Sequence, residues 1–505
     1  MSGTISPPDP YPPTHTMSET SPTQELRAAL AEVAGLIDQQ RWHEAKTRLL
    51  ALKQQHPGHP HVLHLLGVVR QELGDRLGAL EALSQAVTAA PDQAGFQLDL
   101  GLLLKKKGAR LPALERLQEA VRLDPDHANA HFHLGDLWMD QGEVEKAIPC
   151  FHKALALKPE LVAAHINLGL CQKSQNQTAA ALASFQEAIR LQPDHAQAHV
   201  NLAMAQLMLE HYPEGWQEYE WRFKLDQASL PFPPPPLPRW QGEPLSGKTL
   251  LLLGEQGFGD MIQFIRFVPS LAALGARVLV AVPTPLVTLF RPLPGLAVVQ
   301  DHLNFSEPVH YYIPLLSLPL VLGTTPQTIP TPEGYLTPEA EPVALWRTRL
   351  AGEGRKVGLI WSGKPLHAND PLRRRSCTLR DLAPLARLPG IRLFGLQKEH
   401  PDQPIPEDPG FPIHSLAPHL TDFAATAAIM SQMDRIITID TAAAHLAGAL
   451  GRPVWTLLPR APDWRWGQHL PTTPWYTTMR LFRQTVTNGW EEPIHAMVQA
   501  MEHDA

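Results

Sequence analysis

Prolines stand at Pro57, Pro91, Pro125, Pro159 and Pro193, each 34 residues beyond the last. Other columns keep the same register. Glycine recurs at Gly67, Gly101, Gly135 and Gly169, with Ala203 next. Alanine recurs at Ala45, Ala79, Ala113, Ala147 and Ala181, and again at Ala86, Ala120, Ala154 and Ala188. Leucine recurs at Leu66, Leu100, Leu134, Leu168 and Leu202. A repeat of this length holds two helices. Small residues in matched positions let the paired helices approach closely, and proline ends each second helix and resets the chain. A unit of this kind buries its apolar face only against its neighbours, so the units must stack and the ends must be capped.

In period and columns, residues 26–229 resemble the tetratricopeptide repeat (TPR). Repeats begin near 26, 60, 94, 128, 162 and 196. The sixth keeps its first helix (AQAHVNLAMAQLMLE) and then changes to HYPEGWQEYEWRFK, an aromatic-rich stretch read as a cap that docks the array onto another element. Ahead of the array, residues 1–25 are rich in Pro, Ser and Thr and are expected to be disordered.

A chain of 505 residues is too long for one core, so roughly two to four structural units are expected. Its 44% hydrophobic and 18% charged content is that of a globular protein in water. The net charge of −7 argues against a nucleic-acid partner, because no strong basic field exists to release counterions. Three cysteines, Cys150, Cys171 and Cys377, point to a reducing compartment and not to a disulfide framework. No apolar run reaches the ~20 residues needed to span a bilayer. No charged segment followed by an apolar stretch marks a secretory signal. The expectation is a cytoplasmic protein without a membrane span. Histidine pairs such as His127/His131 and His195/His199 have i, i+4 spacing, but they recur at equivalent repeat positions and are read as column residues, so no metal site is expected.

Leu230–Pro238 (LPFPPPPLP) is too proline-rich for a helix or a central strand, and residues 230–247 are read as an extended linker. From Lys248 the pattern changes. KTLLLLGEQGFGD reads as a buried strand, a glycine turn and a helix; ARVLVAVP and LAVVQD read as further strands. KVGLIWSG opens a second series, followed by helix TLRDLAPLARLP, strand IRLFGL, helix DFAATAAIMSQM, strand DRIITID, helix TAAAHLAGAL and strand PVWTLLP, with a last helix over 490–502. Short apolar runs alternating with helices predict parallel sheets. Two series predict two doubly wound domains, over 248–345 and 346–505.

In open parallel sheets, ligands lie outside the carboxyl ends of the strands. Four such ends here carry polar or glycine-rich loops. The first is Gly254-Glu255-Gln256-Gly257-Phe258-Gly259-Asp260, where glycines allow close backbone approach. Asp260 either takes a proton from a hydroxyl nucleophile or caps the helix. The pattern is not the dinucleotide fingerprint G-x-G-x-x-G. The second is Ser362-Gly363-Lys364-Pro365-Leu366-His367 with Arg373, Arg374 and Arg375, a basic concentration that reads as a phosphate-binding loop or as a solvated one. The third is Asp440-Thr441-Ala442-Ala443-Ala444-His445, whose small residues expose first-turn N–H groups as a diphosphate seat, or form an ordinary cap with a buried histidine. The fourth, Gln397-Lys398-Glu399, reads as a contact to a base or ribose, or as an ordinary polar strand end.

Together these loops resemble glycosyltransferases of the GT-B fold. The nearest resemblance is to the heptosyltransferase group (family 9) and to the TPR-linked transferases related to O-GlcNAc transferase or SPINDLY. The matching stretches are GEQGFGDMIQFIRF, VGLIWSGKPLHANDPLRRRS and DTAAAHLAGALGRPVW. The last resembles D-T-G-x-x-H-L-A-x-A-x-G-x-P, with Ala442 in place of the glycine. The resemblance implies an α plus α/β chain: an all-α TPR superhelix, then a GT-B module of two doubly wound, Rossmann-like domains. It implies Asp260 as general base, with Glu255, Gln256, Gly257 and Gly259 in the acceptor loop. It implies donor contacts from Ser362, Gly363, Lys364, Arg374, Arg375, Gln397, Lys398, Asp440, Thr441, Ala442 and His445. The implied donor is a UDP-, GDP- or ADP-linked sugar. No D-x-D motif appears in these loops, in keeping with metal-independent chemistry, and the resemblance favours inversion.

The column facing the inner surface of the superhelix reads Leu65, Asp99, His133, Asn167, Asn201. TPR-linked transferases hold an extended peptide with asparagines in this column, so Asn167 and Asn201 are read as a partial peptide groove; a hydrated concave face is the plainer reading. The function expected is transfer of a sugar to a protein or other cytoplasmic acceptor. The competing reading is a non-catalytic TPR scaffold carrying a degenerate GT-B module, and a third is a sugar epimerase.

Overall fold

The computed structural model describes residues 24–225, 231–363, 375–399, 410–486 and 489–504. Lys364, Arg373 and Arg374 lie outside them. By compactness the chain divides between Pro159 and Glu160 into two units.

The first unit is a series of helical hairpins. They are α1 (Gln24–Asp38) with α2 (Trp42–Gln55), α3 (Pro60–Glu72) with α4 (Arg76–Ala89), α5 (Ala94–Lys106) with α6 (Arg110–Leu123), and α7 (Ala128–Asp140) with α8 (Val144–Leu157). Pro57, Pro91, Pro125 and Pro159 each fall two residues past α2, α4, α6 and α8. The glycine column is a packing column. A Cβ at Gly67 would lie 2.6 Å from Leu83 Cγ, and one at Gly101 would lie 3.0 Å from Leu117 Cγ. Gly74, Gly108 and Gly142 close the hairpins with φ of 78°, 77° and 78°, the left-handed cap that glycine takes at least cost.

The second unit continues the hairpins with α9 (Val162–Ser174), α10 (Thr178–Leu191), α11 (Ala196–Met208) and α12 (Tyr212–Tyr219). A four-stranded sheet follows, built from β1 (Thr249–Leu253), β2 (Arg277–Ala281), β3 (Leu296–Gln300) and β4 (Tyr311–Pro314). Its order is β3-β2-β1-β4, with every pairing parallel. Helices α13 (Phe258–Phe264), α14 (Val268–Ala273), α15 (Thr284–Phe290) and α16 (Leu318–Val321) belong to it, and α17 (Ala340–Arg349) leads to the second sheet. That sheet holds β5 (Arg355–Leu359), β6 (Ile391–Gly395), β7 (His414–Ser415), β8 (Arg435–Ile439), β9 (Val454–Leu458) and β10 (Met479–Arg483). Its order is β10-β9-β8-β5-β6-β7, again all parallel. Helices α18 (Phe423–Met430), α19 (Ala442–Ala449) and α20 (Glu491–His503) complete it. Every residue of β1 and of β9 is buried, as in sheets covered on both faces. No helix among the described residues is long and apolar enough to cross a membrane.

The α plus α/β class is therefore present, with two differences of detail. Strands β4, β7 and β10 add to the two predicted series. TLRDLAPLARLP forms a 3₁₀ helix over Leu379–Arg387, with Pro384 inside it. Its buried leucines, Leu379, Leu382 and Leu385, recur every three residues and so share one side at three residues per turn. Residues 231–238 have neither helix nor strand, and Arg239 then bridges to Tyr312.

One apolar core runs through the second unit. Tyr212, Trp216 and Tyr219 of α12 share it with Phe264 of α13 and with Trp464, Trp475 and Tyr476. The Trp216 and Trp464 rings stand 5.3 Å apart edge to face, and Tyr212 stacks on Trp475 at 6.2 Å. The aromatic cap anticipated in the sixth repeat is thus built into the same core as both sheets.

Candidate active site

Strand β1 ends in a glycine turn because the backbone there is crowded. A Cβ at Gly254 would lie 2.9 Å from Met261 Sδ and 3.1 Å from the Ala281 carbonyl oxygen. Gln256 takes a left-handed φ of 62° and is exposed. Gly257 caps α13 and donates its N–H to Asp260 Oδ2 at 2.9 Å. The capping reading of Asp260 is therefore realised, and it leaves the second carboxylate oxygen for another partner.

Glu255 has a different task from the acceptor-loop role expected of it. Its side chain is buried and accepts from Arg222 Nε and Nη2 at 2.9 and 2.8 Å and from the Leu316 N–H at 3.0 Å. Arg222 also donates to Ser317 Oγ at 2.7 Å. Glu255 thus anchors the segment after α12 to the first sheet; a buried ion pair of this kind is strongly destabilising to break because one charge is left uncompensated.

The first turns of α13 and α19 touch. A Cβ at Gly259 would lie 2.8 Å from the His445 ring and 3.4 Å from Ala442 Cα. Thr441 caps α19 without a side-chain hydrogen bond, and its Oγ1 is buried with no partner among the described residues. Gly363, at the end of β5, comes within 3.5 Å of Thr441 Cγ2 by its would-be Cβ. The β5 end loop is held by Gln397, whose Oε1 accepts from the Trp361 and Ser362 N–H groups at 3.2 and 2.9 Å, and by Ser376 Oγ, which accepts from the Gly363 N–H at 3.2 Å. Gln397 therefore shapes this loop with its carbonyl; Lys398 beside it is exposed. Arg375 lies close enough to Asp440 to favour its carboxylate. The ends of β1, β5 and β8 converge in one neighbourhood.

His445 is buried, stacks on Trp466 at 5.1 Å and has Nδ1 2.9 Å from the Tyr476 hydroxyl. Burial, with Arg465 nearby, pushes its pKa down to about 3, so the ring is neutral. Asp440 is raised to about 6, by burial first and then by the Asp463 carboxylate.

Sequence reasoning missed the residue that joins these parts. Arg465 is 8% exposed and donates to three acceptors: Gln263 Oε1 at 2.6 Å, Asp463 Oδ1 at 2.7 Å and Asp260 Oδ1. Burial raises the proton affinity of Asp260 above the ordinary carboxylate value, and Arg465 opposes it without cancelling it. Asp463 moves the other way: burial raises it, but Arg465 outweighs that and the net shift is downward. A signal was available. Arg465 sits in PRAPDWRWG, the loop after β9, which is a fifth strand end. Asp260 and Gln263, three residues apart on α13, share a face. Arg266, buried in the 3₁₀ turn that follows α13, donates to the Trp475 carbonyl at 2.6 Å and to the Tyr335 hydroxyl at 3.2 Å and ties the end of α13 to the segment before β10.

Of the two asparagines read as a groove, Asn167 is half-buried, while Asn201 is 5% exposed and accepts from Gln197 Nε2 at 3.1 Å. Asn201 does not turn its amide to an open face.

Residues 98–162 and 167–220 match the tetratricopeptide repeat model, and residues 391–488 match the glycosyltransferase family 9 (heptosyltransferase) model. The latter stretch holds Asp440–His445 and Arg465 and does not reach Asp260. Protein FlbA of Caulobacter vibrioides is 29% identical over 323 residues, which cover 58% of this chain and 53% of that protein. The chain thus spans about half the length of the curated relative it matches. Among solved structures, MamA from Desulfovibrio magneticus is 22% identical with a TM-score of 0.31, covering 34% of this chain and 97% of that one. Pseudomonas aeruginosa PilF is 17% identical with a TM-score of 0.38, covering 40% and 92%. The chain carries tetratricopeptide repeats followed by a family 9 glycosyltransferase domain.

Proposed function

We propose that this chain is a nucleotide-sugar-dependent, inverting glycosyltransferase of the GT-B type, with the 248–345 segment on the acceptor side and the 346–505 segment on the donor side. The donor diphosphate rests against the first-turn amides of α19, with Thr441, Ser362, Gly363 and Arg375 around it; Lys364 and Arg374, donor contacts expected from the sequence, lie outside the described residues. Gln397 and Lys398 border the nucleoside. The acceptor hydroxyl oxygen attacks the anomeric carbon, the bond from that carbon to the phosphate oxygen breaks, and the nucleoside diphosphate leaves with the bond's electrons. The hydroxyl proton goes to Asp260. Negative charge on the leaving group is met by cationic side chains and the helix N-terminus, so the step needs no metal. A buried carboxylate with raised proton affinity suits a general base near neutral pH. The TPR segment presents a protein or other acceptor.

The reading rests on the contact of Gly259 with Ala442 and His445, which brings the Asp260 turn against the Thr441 turn. The family 9 match over 391–488 supports it. The scaffold reading draws on one observation: both Asp260 oxygens already have partners. A carboxylate oxygen has two lone-pair sites, so each can still accept a proton. The test is turnover of a UDP-, GDP- and ADP-sugar panel by the full chain and by Asp260→Asn. Loss of a general base costs about 10²–10⁴-fold in rate, so Asp260→Asn should keep donor-induced thermal stabilisation and lose turnover by that factor. Donor binding without turnover in either protein would favour the scaffold.

A further inference from the structure

The loop that carries Arg465 is seated on the repeat helices and is pinned from the other side by the second sheet. Trp464 packs against Tyr212 and Trp216 of α12. Gln468 donates through Nε2 to the Asn176 carbonyl at 3.2 Å and to Thr178 Oγ1, where α9 turns into α10. Thr473 Oγ1 donates to the Arg465 carbonyl at 2.9 Å. Arg483 of β10 donates through Nη1 to the Gly467 carbonyl at 3.0 Å and through Nη2 to the Trp466 carbonyl at 2.6 Å. From this fixed backbone the buried guanidinium reaches α13: Nε donates to Gln263 Oε1 at 2.6 Å and Nη2 to Asp260 Oδ1. Nη1 turns back to Asp463 Oδ1 at 2.7 Å, which also accepts the Arg465 N–H at 3.1 Å. One arginine therefore touches two carboxylates, one on its own loop and one, the candidate base, in the first turn of α13.

We propose that Arg465 is a positioning residue for the transfer reaction: it fixes the Asp260 carboxylate, and Asp463 is its permanent counter-ion, so that Asp260 alone takes up and gives back the proton. This rests on the transferase reading above. As the acceptor oxygen bonds to the anomeric carbon, its O–H bond breaks and the proton passes to an Asp260 oxygen. The electrons of the bond to phosphate leave with the nucleoside diphosphate. The guanidinium gives up no proton and stays charged throughout. Before the step, two carboxylates face one guanidinium; after it, the charges balance. Arg465 is then still paired with Asp463, so no buried cation is stranded, an event that would be costly. The division of roles follows from the contacts. Asp463 accepts two N–H groups of Arg465 and lies below the ordinary carboxylate value. Asp260 accepts one from Arg465 and one from Gly257 and lies above it. Carboxylates with such opposed environments divide into a standing anion and a proton acceptor. Gln263, fully buried, meets the remaining nitrogen of the fork without adding charge. Of the other ionisable groups, Glu255 bears on Asp260, Lys173 on Asp463 and Tyr219 on Arg465. Asp463 and Arg465 also bear on Asp440, and His445 beside them is neutral.

The test uses the full chain with whichever nucleotide sugar it turns over. Arg465→Gln alone strands two buried carboxylates, so it is combined with Asp463→Asn, which leaves the net charge of the cluster unchanged. This double variant should move the acid limb of the kcat–pH profile upward by about one pH unit, because the guanidinium touching Asp260 outweighs the carboxylate beyond it. Below the limb that shift is a loss of about tenfold in kcat. Asp463→Asn alone should move the limb the other way, by about half a pH unit, since Asp260 then keeps the arginine and loses the like charge. The donor KM should stay within about twofold in both. A purely structural tie would lower the melting temperature and leave the limb in place. An unmoved limb in the double variant, or shifts of the same sign in both proteins, would overturn the proposal. If no nucleotide sugar is turned over, the transferase reading fails separately, and the tie between Arg465 and Asp260 is read from melting at alkaline pH. Asp260→Asn should then raise the melting temperature more in the double variant than in the wild-type chain, because there it removes an uncompensated buried anion. An equal change in both would dismiss the tie.

Discussion

Asp440 is 9% exposed and shares its surroundings with Asp463, and burial followed by that neighbour lifts its pKa to about 6. The folded carboxyl binds its proton more tightly than the unfolded one. The stability this contributes is complete below the ordinary carboxylate range and is lost as pH rises through about 6. At pH 7 the chain therefore carries a strained anion, as sites evolved for chemistry often do. Asp440→Asn, which removes the charge and keeps the shape, should raise stability at pH 7 by on the order of 2 kcal/mol. Urea unfolding at pH 7 and pH 5 checks this: the gain should shrink at pH 5, where the wild-type carboxyl is protonated. The same variant should lose turnover. His445 works in the opposite sense. Its folded pKa is depressed to about 3, so the stability it contributes is present above the ordinary histidine value and is lost as pH falls.

Among elements, α9–α12 matter most to the site without belonging to either sheet. The aromatic residues of α12 and the aliphatic ones of α11 complete the core around Trp464, Trp475 and Phe264. Truncating one buried Trp or Phe to Ala typically costs 3–5 kcal/mol, roughly the smaller part of a domain's whole stability. A fragment beginning at Glu160 should therefore unfold cooperatively, whereas one beginning at Pro231 should not. Thermal melting of the two fragments by circular dichroism checks this, and a cooperative melt of the shorter one would count against the shared core. The array and the strand–helix alternation were legible in the sequence because both are periodic. The 34-residue columns map onto helix contacts such as Gly67 with Leu83, and the leucines of β1 onto a strand covered on both faces. What stayed hidden depends on neighbours far along the chain. Leu379–Arg387 has a helix-like composition, yet leucines spaced by three and an internal proline make it 3₁₀. Glu255 stands in the glycine loop by sequence, but Arg222, 33 residues earlier, draws it inward. Arg465 acquires its meaning only from Asp260, 205 residues away.

At the scale of the whole molecule, the turns after β1, β5 and β8, which by sequence stand far apart, meet beside a loop seated on repeat helices. The account stands or falls on those turns holding one ligand. The most direct measurement is a crystal structure of the full chain with whichever of UDP, GDP or ADP raises its melting temperature. The account predicts the diphosphate at the amides that follow Thr441, near Gly363 and Arg375, with Asp260 facing the vacant sugar position. A diphosphate bound away from Thr441, or no stabilisation by any of the three nucleotides, would contradict it.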